Sequence, residues 1–429
     1  MPTNTIHELA RDTPVAIAAD VAVCGGGPAG IAAAVAAARA GARTALIEAH
    51  GCLGGIWTAG ALSWILDHEN KTGIMREILD GITAMGGRAM WEGEPTNGCD
   101  VEKMKLLLDG MAVEAGVDVR LYTRVVGAVV DAGNRLTHAT IESASGRQAV
   151  AAKCFVDCTG DGDLGALAGC GFDLGHPQTH LTQPMSLIAL LGGLDPAEMR
   201  EYYRSSSAMP WAAPKDRLKA AMERGGHSPS YAKPTLLWVR DELFALMANH
   251  EYGVRGTDAG DLTRATMRAR AELHDLIDGL RALGGVWARA WIVATGEQIG
   301  VREGRRLHGR YVVTERDLAD GARHDDAVCR VTFPIDVHTP DPRQGKAIDR
   351  RAVPSKPYDI PLRALIARDV EGMLMAGRCI SGDFLAHGSY RVTGNAVALG
   401  EAAGRTAAAA ALTDRLPGDL DWGEITAAN

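Results

Sequence analysis

A short apolar run at residues 20–24 ends in three consecutive glycines, and the alanine-rich segment 31–40 follows closely. An apolar run of this length is typical of a strand that is buried on both faces. The alanine-rich segment is typical of a helix, and Gly41 is a suitable residue to end it. A second short apolar run follows at residues 44–47. Strand, glycine turn, helix and strand in this order predict the opening of a doubly wound parallel α/β sheet.

The glycines of this turn have the spacing Gly25-x-Gly27-x-x-Gly30. In such a turn the first glycine permits the tight bend, the second lets the backbone approach a pyrophosphate, and the third allows close packing of helix on strand. Glu48 directly follows the second strand, where a carboxylate can accept both hydroxyls of an adenosine ribose. The combination predicts a bound dinucleotide, and a glycine turn without a ligand is the alternative.

The overall composition excludes several classes of protein. The 429 residues are 46% hydrophobic, which is typical of a packed globular chain and not of a disordered one. The net charge of −8 comes without a basic tract, so no nucleic-acid partner is expected. The longest apolar candidate, 396–412, is interrupted by Glu401 and Arg405, so no membrane span is expected.

The N-terminal segment and the cysteines indicate the cellular compartment of the protein. Residues 1–12 lack the apolar core of a signal peptide, and the eight cysteines include no C-x-x-C pair. Paired spacings of that kind are what a structural zinc site needs. We therefore expect a cytoplasmic protein with reduced thiols and without a bound metal.

Three later segments also contain glycines that are typical of a nucleotide site. A glycine pair at 54–55 is of the kind that lets the backbone pass beneath a bulky flavin, and the segments 156–163 and 372–383 each follow a strand-like run with a glycine turn. Nucleotide sites arranged around one sheet explain why distant segments end in this way. These features favour FAD as the dinucleotide.

The pattern of apolar runs predicts a Rossmann-like FAD-binding domain with an interleaved, partly helical substrate or cap domain. The FAD-binding domain is predicted from three stretches: 15–50, 97–175 and 358–412. The substrate or cap domain is predicted from the stretches between them, 51–96 and 176–357, and a C-terminal tail from 413–429. Residues 195–283 have the charged, periodic composition of a largely helical cap.

The chain resembles the FAD-dependent oxidoreductases of the glutathione-reductase-like flavoprotein group, and most closely the FAD-dependent oxidoreductase family that carries G-G-G-P-A-G near its start. The likeness extends to the segments 300–306, 311–314, 357–361 and 377–381 and covers nearly the whole chain. It implies one FAD bound in an extended form. A C-terminal segment, 387–395, is similar to the H-G-x-x-R-x-x-G-N segment of fumarate reductase and succinate dehydrogenase flavoproteins.

In those flavoproteins the histidine and arginine hold a substrate carboxylate over the flavin, which implies catalytic roles for His387 and Arg391. An arginine fork suits a carboxylate, and a helix N-terminus stabilises negative charge on a reduced flavin. The alternative for Arg391 is an ion pair with Asp383 or Glu401. His338 is a third catalytic candidate, as general base, because histidine titrates near neutral pH; a structural histidine is the alternative.

The residues predicted to contact FAD are Gly25, Gly27, Pro28, Ala29, Gly30, Glu48, Gly54, Gly55, Thr159, Gly160, Asp161, Gly377, Asp383, Gly394 and Asn395. An arginine-rich segment, 302–306, is predicted either to line a site for an anionic substrate or to form an ion-pair network between domains. The second option is favoured.

The predicted activity is hydride transfer between a small organic substrate, with an anionic one as an option, and N5 of the flavin. A flavin monooxygenase with an external reductant and a non-catalytic FAD-binding module are the alternatives. No second G-x-G-x-x-G is present, which argues against a built-in NAD(P)H domain. The electron acceptor and the oligomeric state stay open.

Overall fold

The computed structural model describes residues 5–204, 211–348 and 354–427. Its strands, numbered in chain order, are β1 (Val15–Cys24), β2 (Thr44–Ile47), β3 (Arg88–Trp91), β4 (Glu94–Cys99), β5 (Asp118–Arg120), β6 (Arg124–Val130), β7 (Leu136–Ser143), β8 (Gly146–Asp157), β9 (Phe172–Asp173), β10 (Ile188–Gly192), β11 (Thr235–Arg240), β12 (Leu243–Met247), β13 (Trp291–Thr295), β14 (Arg306–Leu307), β15 (Ala327–Val331), β16 (Tyr358–Pro361) and β17 (Met373–Met375). Its α-helices are α1 (Pro28–Arg39), α2 (Gly73–Ala84), α3 (Val101–Glu114), α4 (Asp163–Leu167), α5 (Ala212–Arg224), α6 (Ala259–Ala282), α7 (Glu315–Asp320), α8 (Phe384–Tyr390), α9 (Thr393–Thr413) and α10 (Trp422–Ala427).

The main sheet has the strand order β5-β2-β1-β8-β7-β6, and β17 pairs with the second half of β8. All pairs among β5, β2, β1, β8 and β17 are parallel. The long strand β8 also pairs antiparallel with β7, which pairs with β6, so these three strands form a meander that returns to the parallel part. The predicted α/β fold with a mainly parallel sheet is confirmed.

Helices α1 and α9 pack against each other with almost no side-chain volume between them. A Cβ atom added at Gly400 of α9 would lie 2.0 Å from the carbonyl oxygen of Ala29 in α1, and one at Gly404 would lie 2.1 Å from that of Ala33. Both helices are rich in alanine, so their backbones can approach this closely. The contact holds the N-terminal end of the closing helix beside the first helix of the chain.

A second, four-stranded antiparallel sheet has the order β11-β12-β10-β13. Its apolar face and helices α5 and α6 enclose a separate hydrophobic core, which contains Leu191, Phe244, Leu218 and Leu273. Residues in this region were expected to be largely helical, and that prediction is wrong for β11 and β12. Their apolar and aromatic side chains favour strands, and the two-residue turn between them contains Asp241 at φ 42°, a conformation that aspartate tolerates.

The eight cysteines are all free. No α-helix in the described ranges combines the length and the hydropathy that a membrane crossing requires. The proposed division into an FAD-binding domain and a cap domain at the stated boundaries stays a prediction. The main sheet nevertheless draws its strands from residues 15–157 and 373–375, while the second sheet draws all of its strands from residues 188–295.

Candidate active site

A cleft of about 360 Å³ opens at the carboxyl ends of β1, β2, β8 and β17. This volume lies within the range of about 300–1,000 Å³ that is usual for ligand and cofactor sites. The carboxyl ends of parallel strands are also where open α/β sheets bind nucleotides. Ten of the residues predicted to contact FAD line the cleft: Gly25, Gly27, Pro28, Ala29, Glu48, Gly55, Thr159, Gly160, Asp161 and Gly377.

The first glycine turn has the shape that a pyrophosphate requires. Gly25 has φ 98°, and a Cβ there would lie 2.3 Å from the carbonyl oxygen of Cys158, so only glycine fits. At Gly27, by contrast, no atom lies within 4 Å of the position that a Cβ would take. Gly27 also begins α1 without a side-chain cap, which leaves the first N–H groups of the helix available for an anion. The residues present therefore fit the phosphates of FAD.

Glu48 is buried in the wall of the cleft and is held by backbone groups. Its Oε2 accepts a hydrogen bond from the N–H of Gly26 at 2.5 Å, and its Oε1 accepts one from the N–H of His50 at 2.7 Å. A carboxylate has further lone pairs on both oxygens. Glu48 can therefore accept ribose hydroxyls while both backbone bonds remain, as the predicted role requires.

Five of the residues predicted to contact FAD do not line this cleft: Gly30, Gly54, Asp383, Gly394 and Asn395. Asp383 instead caps helix α8, because Oδ1 accepts from the N–H of Ala386 at 2.7 Å and Oδ2 accepts from the N–H of Glu315 at 2.6 Å. The N–H of Gly394 donates to the carbonyl of Leu66 at 2.9 Å. Contacts of these five residues with FAD stay predictions.

Arg391 lies between α8 and α9 and lines the cleft. Its Nη2 donates to the backbone carbonyl of Asp336 at 2.7 Å and lies 3.3 Å from Oδ2 of the same residue. The alternative pairing of Arg391 with Asp383 or Glu401 is therefore wrong, since Glu401 bonds Arg405 and the N–H of Ile74. Within the described residues the buried Nε of Arg391 has no hydrogen-bond partner.

A chain of buried and half-buried polar side chains leads away from Arg391. Oδ2 of Asp336 lies 3.5 Å from Nε2 of His338, Nδ1 of His338 lies 3.0 Å from Nε2 of His250, and Nδ1 of His250 lies 3.0 Å from the hydroxyl of Tyr252. Burial, and next the positive charge of Arg302, lower the pKa of His338 to about 4. Burial opposes ionisation of Asp336, but His338 and the nearby arginines hold its pKa below the usual range.

The arginines of the segment 302–306 have different partners. Nη1 of Arg306 bonds Oε1 of Glu303 at 2.5 Å, and Nη1 of Arg305 bonds Oδ1 of Asp163 at 2.9 Å. Arg302 is buried as well, but in the described part of the chain no carboxylate oxygen lies within 4.0 Å of its guanidinium. Two of the three arginines thus form ion pairs, and that of Arg305 with Asp163 joins distant segments of the chain. A network that joins two domains stays a prediction.

His387 lies on α8, fully buried, with its ring in edge contact with Tyr390 at 5.5 Å between centroids. Neither ring nitrogen has a hydrogen-bond partner in the described residues. Burial, and next the charges of Arg306 and Arg391, hold its pKa far below the usual range, so the ring is neutral. His387 is not part of the cleft wall, and its catalytic role stays a prediction.

Sequence reasoning missed three residues at the polar chain that begins at Arg391. They are His250, Asp336 and Gln183, whose Oε1 accepts from the N–H of His338 at 3.0 Å. His250 follows strand β12, and its only sequence signal is that a histidine ends an otherwise apolar segment. Such a signal is weak, because a lone buried histidine is usually a satisfied structural residue. The three residues come from segments about 70 to 150 positions apart in the chain, so no local pattern links them.

The fold and the cleft define an α/β protein that binds a dinucleotide at the carboxyl edge of its sheet. A family model described as FAD dependent oxidoreductase matches residues 20–428, and the chain belongs to this family. The chain is accordingly an FAD-dependent oxidoreductase. The finer likenesses to glutathione-reductase-like and fumarate reductase flavoproteins stay predictions.

No curated protein matches the chain. Among solved structures it is similar to a geranylgeranyl bacteriochlorophyll reductase-like protein from Thermoplasma acidophilum, with 15% identity, 93% of this chain and 80% of that chain covered, and a TM-score of 0.45. It is also similar to the flavin-dependent brominase Bmp2, with 14% identity, 96% and 82% coverage and a TM-score of 0.49. A myxobacterial chondrochloren halogenase has 14% identity, 96% and 78% coverage and a TM-score of 0.48. With TM-scores below 0.5, these proteins carry no inference about the activity of this chain.

Proposed function

We propose that this oxidoreductase transfers a hydride between a carbon atom of a small anionic organic substrate and N5 of FAD. The observation that carries the proposal is the polar chain from Arg391, in the cleft wall, through Asp336 to His338 and His250. It combines a cation that can hold an anionic group with a neutral imidazole that can exchange a proton. Bound FAD supplies the two-electron exchange.

Arg391 is proposed to bind the anionic group of the substrate. Nη2 is held by Asp336, which fixes the plane of the guanidinium, while the buried Nε has no partner in the described residues and remains available to a ligand. A guanidinium held in this way presents its remaining donors in a fixed fork. Arg391 thereby orients the substrate carbon relative to the cofactor.

His338 is proposed to accept the substrate proton at Nε2. With a pKa of about 4 the ring is neutral at pH 7, and its Nε2 lies 3.5 Å from the Asp336 carboxylate, which stabilises the imidazolium once it forms. His250, at 3.0 Å from Nδ1, can accept a hydrogen bond from the protonated ring, and because its own pKa lies further below the usual value, the proton stays on His338. General base catalysis of this kind contributes about 10²–10⁴-fold to a rate.

Anaerobic reduction of the bound flavin tests the proposal. Purified protein is mixed with hydroxy acids, unsaturated acids, amines and neutral sugars, and bleaching of the flavin absorbance is followed in each case. Direct bleaching by one of the acids supports the proposal. Bleaching only by NADPH and stimulated by a second compound indicates a monooxygenase instead, and bleaching by dithionite alone indicates a non-catalytic FAD-binding module.

A further inference from the structure

Arg302 carries a positive charge in the interior, and in the described part of the chain no carboxylate oxygen lies within 4.0 Å of its guanidinium. Nη1 donates to the carbonyl of Pro184 at 2.6 Å and to Oγ of Ser186 at 2.9 Å, and Nη2 meets Sδ of Met247 at 3.3 Å. All three partners are neutral, and the residue is nine-tenths buried. Burial, and next the charge of Arg391, lower the pKa of Arg302 to about 10, so the group remains protonated at neutral pH.

A buried cation of this kind is expensive unless an anion accompanies it. The only carboxylate of the polar chain, Asp336, contacts Arg391 and His338 instead. Asp336 acts electrostatically on both Arg302 and Arg391, and Glu303 acts on Arg391, but Arg302 has only neutral groups in direct contact. The Nη2 group has the weaker set of contacts, because a thioether sulfur is a poor hydrogen-bond acceptor.

The side chain of Gln183 supplies a second, independent observation. Its Oε1 accepts a hydrogen bond from the N–H of His338 at 3.0 Å, which fixes the orientation of the amide. Its Nε2 is buried and has no hydrogen-bond partner in the described residues. Gln183 precedes Pro184, whose carbonyl accepts from Nη1 of Arg302, and the N–H of Gln183 donates to Oε2 of Glu303 at 3.0 Å. An unused amide donor therefore lies one residue from a group that binds a cation without a contacting carboxylate.

We propose that Arg302 and the side-chain amide of Gln183 form a subsite for the carboxylate group of the substrate. The inference rests on the proposed function, and it names a substrate class and two residues beyond Arg391. Val301, the residue before Arg302, lines the cofactor cleft. A carboxylate oxygen in the subsite replaces the sulfur of Met247 as the acceptor for Nη2, and the second oxygen accepts from Nε2 of Gln183.

Ligand-dependent thermal stability tests the subsite without any turnover. The Tm of the FAD-loaded protein is measured while chloride is replaced by acetate, benzoate or inorganic phosphate at constant ionic strength and pH. A ligand that binds only the folded protein raises the Tm with a saturating dependence on concentration. We expect acetate or benzoate to raise the Tm of the parent protein in this way, and phosphate to raise it less.

Two variants assign the effect to the subsite. Arg302→Met keeps most of the volume and removes the charge, so it is expected to abolish the carboxylate-dependent rise and to leave the Tm in chloride unchanged or higher. Gln183→Glu keeps the acceptor for the N–H of His338 and supplies a carboxylate in place of the ligand. It is expected to raise the Tm in chloride and to raise the half-saturating carboxylate concentration at least tenfold. Arg305→Met, in the same segment but paired with Asp163, is the control that should retain the parent response.

The subsite is contradicted if the parent shows no carboxylate response, if phosphate stabilises it more strongly, or if both Arg302→Met and Gln183→Glu respond like the parent. Flavin reduction keeps the two proposals apart. A protein that binds carboxylates but is bleached by no substrate contradicts the proposed function and leaves the subsite supported. Bleaching by an anionic substrate, together with no carboxylate response, overturns the subsite alone.

Discussion

Arg302 and Arg306 lie four residues apart, and both are buried, yet their surroundings differ in one respect. Arg306 pairs with Glu303 at 2.5 Å and also bonds the carbonyls of Gly175 and Gly382, so its charge is compensated within the fold. Arg302 meets only neutral acceptors. Burial alone therefore does not separate a structural cation from one that awaits a ligand. The distinguishing feature is whether a carboxylate contacts the buried cation.

The largest effect is expected from breaking the compensated pair. Arg306→Met leaves the Glu303 carboxylate buried and without its cation, which costs about 3–5 kcal/mol of unfolding free energy. Urea or thermal unfolding measures this loss. Arg302→Met, as the matched substitution, is expected to change the unfolding free energy by less than about 1 kcal/mol in the absence of carboxylates. Equal losses in the two variants would show that charge balance does not distinguish them.

Glu48 extends the comparison to a buried carboxylate that is held by backbone N–H groups alone. Glu48→Ala removes the acceptor for the ribose hydroxyls and is expected to weaken FAD binding by about 1–3 kcal/mol, while the chain still folds. The fluorescence of released flavin on dilution measures the change. Glu48→Gln, which keeps one oxygen acceptor, should lie between alanine and the parent. FAD retention by Glu48→Ala equal to that of the parent would place the ribose elsewhere.

Arg391 extends the comparison because its charge has one nearby carboxylate, that of Asp336, at 3.3 Å. Arg391→Lys keeps the charge and loses the fork, so substrate-driven flavin reduction is expected to slow at least tenfold, or about 1.4 kcal/mol. FAD content and Tm should stay close to those of the parent. Anaerobic stopped-flow absorbance measures the rate. A variant that melts early or loses FAD, but whose remaining holoenzyme is reduced at the parent rate, would show that Arg391 is structural.

The effect of pH on stability concerns the neutral histidine. Because the pKa of His338 is about 4 in the folded chain and its ordinary value is 6.5, the unfolded chain binds the proton first as the pH falls. His338 therefore lowers the unfolding free energy between pH 6.5 and pH 4, by at most about 1.4 kcal/mol per pH unit, and has no further effect below pH 4.

His338→Gln should lose less stability than the parent over this pH range, as measured by urea unfolding at a series of pH values. His250 is also buried with a lowered pKa, so part of the acid sensitivity should remain. The exposed His227→Gln serves as the control and should follow the parent curve. Identical curves for His338→Gln and the parent would mean that His338 is not buried in its neutral form.

The cofactor cleft and the polar chain also differ in how far the sequence predicts them. The glycine turn, Glu48 and the strand ends belong to short local patterns, because the backbone itself forms the phosphate site, and strand β2 lies at the predicted residues 44–47. Arg302, Asp336, His338 and His250 carry no such pattern. His250 follows a hairpin in a region that was expected to be largely helical, and long-range strand pairing leaves little local signal.

The close contact between α1 and α9 also has a consequence for synthesis of the chain. The glycine turn before α1 emerges early, but Gly400 and Gly404, which pack on that helix, follow about 370 residues later, or about 20–75 s at ordinary translation rates. The nascent chain therefore lacks six residues of the cleft wall for most of its synthesis: Ala376, Gly377, Arg378, Arg391, Thr393 and Ala396. Tight capture of the flavin can begin only when the last long helix has left the ribosome, so the colour of the protein reports a chain translated through that helix.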